Sequence, residues 1–197
     1  HHPAMPYADV SAFVREIREG GSISALALEF TILTACRTGE VTGARWEEFD
    51  FAKKVWTIPG GRTKSGRDHR VPLSPRVLAV LKEVPRIKDN PYVFTGAREG
   101  QHLSNMAMLE LLREKRGMKF TVHGFRSSFR DWAAEQTNFP REIAEAALAH
   151  VLGDKTEAAY QRGDLLEKRR RLMEAWAGYC QRPAVKGDTV RPLRAAQ

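Results

Sequence analysis

His123 and Arg126 stand three residues apart in Thr121-Val122-His123-Gly124-Phe125-Arg126, so a helix through this segment would carry both side chains on one face. A guanidinium binds phosphate through two parallel hydrogen bonds, and an imidazole moves protons near neutral pH. Together they suit an anionic reaction centre. Tyr160, in Ala159-Tyr160-Gln161-Arg162, adds a hydroxyl that can act as a nucleophile. Attack on a phosphodiester without a metal ion needs fixed cations for charge building on the non-bridging oxygens. It also needs an acceptor for the phenol proton and a donor for the departing 5′ oxygen. Arg37 and Arg126 are candidates for the cations, His123 for the base, Lys64 for the acid and His150 for a further phosphate hydrogen bond. No residues cluster with metal-ligand spacing, so neither a metal nor another cofactor is expected.

The elements that must position these groups are mostly helical. Val10, Phe13, Val14 and Ile17 recur at helical spacing before Gly20-Gly21. Ser22 or Ser24 caps an apolar helix from Ile23 to Ala35 that ends at Arg37-Thr38-Gly39-Glu40. Beyond Trp46 the period changes. Phe49, Phe51, Val55, Trp56 and Ile58 predict two short strands turning near Lys53-Lys54, and His69 to Leu73 predict a third. Lys64 lies in the glycine-bearing turn before that third strand. Ser74-Pro75 opens a helix that Pro85 ends, and residues 85–102 read as loop around Val93-Phe94. Ser104 caps a helix to about Arg116, the His123 helix runs to about Glu135, and Pro140 opens one ending near His150. A short helix after Gly153-Asp154 holds Tyr160. Asp164 caps a last helix bearing Leu165, Leu172, Met173, Trp176 and Cys180. The expected class is mainly α with a small antiparallel β-sheet, α+β.

Taken singly, each candidate has a plainer reading. Arg37 at a helix end complements the helix dipole, as does His150. Lys64 is a solvated hairpin lysine, His123 beside Gly124 caps a helix, and Tyr160 is a half-buried core tyrosine. Spacing alone does not choose between the readings.

The ordered set does more. It resembles the catalytic domain of the tyrosine recombinases, specifically the phage integrase type. The matching blocks are Arg37-Thr38-Gly39-Glu40 with Arg45-Trp46 and Asp50; Lys64 with His69 and Val71-Pro72-Leu73-Ser74; His123-Gly124-Phe125-Arg126; Leu148-Ala149-His150; and Ala159-Tyr160-Gln161-Arg162. Met173-Glu174-Ala175-Trp176 is similar to the family's closing helix, so the likeness runs from about residue 6 to about 180. The resemblance implies the tyrosine recombinase catalytic-domain fold. It also implies site-specific DNA recombination through a 3′-phosphotyrosyl intermediate, with no ATP or metal. Tyr160 would be the nucleophile, Arg37 and Arg126 would hold the transition state with His150 assisting, Lys64 would protonate the 5′ oxygen and His123 would handle the tyrosine proton. Glu40 would orient Arg37. Lys53, Lys54, Arg62, Arg67, Arg70 and Arg130 are candidates for DNA-backbone contacts. Gly43-Ala44 stand where the family usually carries bulkier residues.

Bulk properties fit such a partner but do not demand it. The net charge is +8 over 197 residues. Residues 160–197 hold nine Lys/Arg against four Asp/Glu, whereas residues 1–159 are nearly balanced. Two cysteines make no disulfide framework, and no apolar run suits a membrane span. A cytoplasmic protein is therefore expected. Residues 1–181 read as the catalytic domain, with residues 1–7 a linker remnant, and residues 182–197 as a flexible basic tail. The family's preceding DNA-binding domain is expected to be absent. Expected partners are double-stranded DNA attachment sites and other copies of the chain: a monomer when free, a tetramer on DNA through exchange of C-terminal segments. Two other functions compete, a type IB topoisomerase and a non-catalytic DNA-binding module that retains the fold.

Overall fold

A computed structural model describes residues 3–113, 117–150 and 165–183. Among these residues it holds eight α-helices and one three-stranded sheet. The helices are α1 Tyr7–Arg18, α2 Ile23–Thr34, α3 Thr38–Thr42, α4 Pro75–Glu83, α5 Ala107–Arg113, α6 Gly124–Gln136, α7 Arg141–Ala147 and α8 Leu166–Cys180. The strands are β1 Phe49–Asp50, β2 Val55–Ile58 and β3 His69–Pro72, antiparallel in sequence order. Mainly α with a small antiparallel sheet is thus the observed class.

Helix α2 is the centre because it is apolar on every side. Ala27, Leu28, Phe30, Ile32 and Leu33 are all buried, and α1, α3, α4, α5, α6 and α8 pack around it. Ser22, rather than Ser24, caps it by accepting the Ala25 N–H at 3.1 Å. A buried charge also sits in this run. Glu29, 1% exposed, accepts from Arg18 of α1 and Arg76 of α4, each at 2.7 Å, and so ties three helices together. Phe30 packs edge-on against Trp56 and Phe94, joining α2 to the sheet and to the loop between α4 and α5. At the other end, Trp176 of α8 donates to the Ile32 carbonyl at 2.8 Å and packs against Phe129 and Trp132 of α6.

Several boundaries differ from expectation for physical reasons. Helix α2 stops at Thr34 because Ala35 turns left-handed (φ 53°), and Arg37 begins a new short helix. The Ser104 hydroxyl accepts from Met106 N in a turn, and the following helix starts three residues later at Ala107. Helix α7 ends at Ala147, since Ala149 is left-handed (φ 50°). The position preceding α8 is Leu165, also left-handed. Asp164 as its cap, residues 114–116 and the proposed short helix around Tyr160 lie outside the described residues.

The N-terminal segment crosses the start of α6. Pro3 O accepts the Thr121 N–H at 3.1 Å, and Met5 O accepts the Ser128 hydroxyl. A Cβ on Gly124 would stand 2.2 Å from Pro3 O and 2.9 Å from Ala4 Cα, so only glycine fits between His123 and Phe125. Gly124→Ala is therefore expected to destabilise the chain by about 1–3 kcal/mol in urea unfolding. Deleting residues 1–4 removes the obstruction, and in that shortened chain the same substitution should cost little. An equal cost in both backgrounds would contradict the packing account.

Candidate active site

Arg126 is the focus. It lies in the first turn of α6 and is 5% exposed. Its guanidinium is held by carbonyls from two chain reversals: Nη1 donates to Ala35 O, and Nη2 donates to Leu148 O at 2.7 Å. Ala35 is itself left-handed, and Leu148 precedes the left-handed Ala149. Two uncommon backbone conformations thus present oxygens to one buried cation. Its Nε is buried and has no hydrogen-bond partner among the described residues. Burial, and then the neighbouring Arg37 cation, push its pKa down to about 10, opposed by Cys36, Glu40 and Glu145. It stays protonated at neutral pH.

Arg37 occupies the N-cap of α3. A positive group at the start of α3 opposes that helix's dipole, although Arg37 also lies just past the end of α2. Glu40 resolves the conflict. Its buried carboxylate accepts from Arg37 N at 2.8 Å and from Arg37 Nη1 at 2.9 Å, fixing both the backbone and the guanidinium.

His150 sits beyond the end of α7. Its Nε2 is 3.2 Å from Arg126 Nη2, and its Nδ1 is 2.6 Å from Glu145 Oε2. Arg37, Glu40, Arg126 and His150 are thus gathered. Lys64 is exposed in the β2–β3 hairpin, whose loop is closed by Asp68 accepting from Gly60 N (2.8 Å) and by the Thr63 hydroxyl donating to Arg67 O (2.7 Å). His123 is exposed at the N-cap of α6, where its side chain makes no cap. Thr121 does that work, its hydroxyl accepting from Gly124 N at 3.0 Å. Tyr160 lies outside the described residues.

Of the candidate DNA-backbone residues, Lys53, Lys54, Arg67, Arg70 and Arg130 are exposed. Arg62 is engaged internally, donating to Glu48 at 2.5 Å and to the Glu40 carbonyl at 3.0 Å. Its Nη1 lies 3.0 Å from where a Gly43 Cβ would be, so the small residue at 43 makes room for this link between the hairpin and α3. That accounts for one departure from the family pattern.

Three participants were not singled out from sequence. Glu145 carries the hydrogen bond to His150. Arg169, 1% exposed in α8, donates to Arg70 O at 2.6 Å. His69, noted only as a matching letter, is buried and hydrogen-bonds the Ala147 backbone. Burial first, then the Arg169 cation, drive its pKa down to about 4. Only the five-residue offset from Glu145 to His150 could have signalled the first of these. Burial also lifts both thiols, Cys36 to about 12 and Cys180 well above its usual value, so neither suits a nucleophile. Among the described residues no group of three or more His, Cys, Asp or Glu side chains stands together, and no helix is long and apolar enough to cross a membrane.

Comparison with known proteins bears on this geometry. A profile of the phage integrase family matches residues 5–165. The prophage integrase IntA of Escherichia coli K12 is 36% identical over 149 residues, covering 74% of this chain and 36% of that protein. The integrase of Enterobacteria phage P4 is 27% identical, covering 91% and 45%. The chain thus spans less than half the length of these relatives. Among solved structures, the integrase from mycobacterium phage Brujita superposes with a TM-score of 0.62 at 17% identity, covering 83% of this chain and 55% of that one, a likeness of fold.

The buried imidazole supplies a test of the site's core. His69 in the unfolded chain protonates near ~6.5, but the folded protein resists until about pH 4. The native state should therefore lose roughly 3 kcal/mol from this group as pH falls from 6.5 to 4, and nothing above that window. In urea titrations at successive pH values, His69→Gln should flatten the acid limb by this amount. A His69 imidazole titrating near 6.5 by NMR would contradict the assignment.

Proposed function

Because the chain belongs to the phage integrase family, we propose that it performs the strand cleavage and rejoining of site-specific DNA recombination as a tyrosine recombinase. The observation that carries this reading is the pair Arg37 and Arg126. One cation is buried, the other is fixed by a carboxylate, and each raises the electrostatic cost of its neighbour. A phosphate bound to both would relieve that repulsion, and charge growing on its oxygens would relieve it further. On this reading the Tyr160 oxygen bonds to phosphorus and its proton passes to His123. The bond to the 5′ oxygen breaks, and that oxygen takes a proton from Lys64. The product is a 3′-phosphotyrosyl ester, and attack by the 5′ hydroxyl of a second strand reverses each step. Ester is exchanged for ester, so no ATP is needed. His150 supports the phosphate, and Glu40 keeps Arg37 in place.

The partners follow from the same proposal. Double-stranded attachment sites bind through phosphate contacts from Lys53, Lys54, Arg67, Arg70 and Arg130, so affinity falls with salt. Residues 1–181 serve as the catalytic domain. Copies that are monomeric when free form a tetramer on DNA through exchange of residues 182–197, in the cytoplasm.

A pool of nicked duplexes with a randomised centre tests the chemistry, because the short strand beyond the cut diffuses away and traps the covalent adduct. A protein–DNA adduct stable to detergent is expected, lost entirely in Tyr160→Phe. Transfer of the held strand to an added second duplex is expected as well, whereas relaxation of a supercoiled plasmid in a parallel assay without such transfer would favour a topoisomerase. An adduct that survives Tyr160→Phe would sink the proposal. Arg126→Ala should lower adduct formation by at least ~100-fold while leaving most DNA affinity, since it removes charge stabilisation that grows in the transition state.

A further inference from the structure

His150 is gripped from two sides, and the grip determines where its proton sits. Arg126 Nη2, 3.2 Å from Nε2, can only donate, so Nε2 is the accepting nitrogen. The ring proton is then on Nδ1, donated to Glu145 Oε2 at 2.6 Å. Glu145 is itself well fixed. It is 5% exposed in α7, its Oε1 accepts from Arg130 Nε at 2.7 Å, and Arg141 Nε stands 3.6 Å away. Burial works to raise its carboxyl pKa, but the hydrogen bonds from His150 and Arg130 outweigh it and hold the group below the usual carboxylate range. The Glu145 carbonyl also accepts the His150 backbone N–H at 2.9 Å. One residue therefore restrains both the ring and the main chain of His150.

We infer that Glu145 is a positioning residue, which selects the Nδ1–H tautomer of His150 and aims Nε2 at the space beside Arg126. With Nδ1 committed to Glu145, Nε2 is the nitrogen left to meet a phosphate oxygen that takes the place of the Arg126 contact, as a donor when the ring carries both protons. The inference rests on the reading of His150 as a phosphate-binding group.

Long-range proton–nitrogen correlation spectra of the DNA-free chain at mildly alkaline pH read the tautomer directly, with the His150 signal identified by its loss in His150→Gln. The expected pattern is protonation at Nδ1, the less common form of free imidazole. Glu145→Ala should move the ring toward Nε2–H. It should also slow single-turnover adduct formation at saturating DNA by roughly 10- to 100-fold, the range seen when the outer partners of metal-bound histidines are removed. Glu145→Gln keeps an acceptor oxygen and should retain the tautomer and recover part of the rate. A wild-type His150 protonated on Nε2, or a Glu145→Ala chain with unaltered tautomer and rate, would overturn the inference. If Glu145→Ala does not fold by circular dichroism, the wild-type tautomer and the Glu145→Gln rate decide. Absence of any adduct in the wild type, with the Nδ1 proton in place, would count against the cleavage reaction and not against the His150–Glu145 pairing.

Discussion

The burial of the Arg126 guanidinium is the constraint around which this molecule is arranged. Removing an ion from water costs several kcal/mol unless polar partners replace the solvent. Here the partners are backbone oxygens of Ala35 and Leu148, with the carboxylates of Glu40 and Glu145 nearby. Those oxygens are available only because α2 and α7 stop abruptly at left-handed alanines, each at a cost on the order of 1 kcal/mol. Three helix ends thus converge on one side chain. The left-handed turn at Ala35 also launches the short helix that begins with Arg37, so placing the second cation depends on accommodating the first.

Rigidity is unevenly distributed across the proposed machinery. The two arginines and His150 are tied by hydrogen bonds to elements that pack on α2 or on one another. Lys64 stands on a hairpin whose loop is closed by its own polar contacts. Its base is anchored to α3 through Arg62, which Gly43 allows to approach. A centre that must hold charge steady benefits from the first kind of support.

Much of the architecture was readable in the sequence. The apolar run of α2, the Ser74-Pro75 start and the alternating residues of the sheet each correspond to a local rule of spacing or capping. The ordered blocks around Arg37, Lys64, His123 and His150 also picked out the family. Much of what escaped was non-local. Nothing near Ala35 announces that it turns left-handed, because the reason is a guanidinium 91 residues away. His69 looked like an ordinary strand residue, and its suppressed basicity arises from burial and then from Arg169, a hundred positions later in the chain. Glu145 sat in a helix whose surface looked merely charged, and Ser104 resembled a cap because its residue type suits one. Tyr160, the residue on which the chemical reading turned, lies outside the described residues, so its role stands on sequence and family membership.

The strap formed by Pro3 to Met5 has a mechanical side. It is fastened to Thr121 and Ser128, on either side of His123 and Arg126, with no side chain at Gly124 to cushion the crossing. Tension on the polypeptide ahead of residue 3 would therefore be delivered to the first turn of α6 instead of dissipating in a loose end. Whatever is joined there, whether a natural segment or a laboratory tag, acts as a leash on the helix that carries the buried cation. Its length and stiffness become variables of the reaction centre.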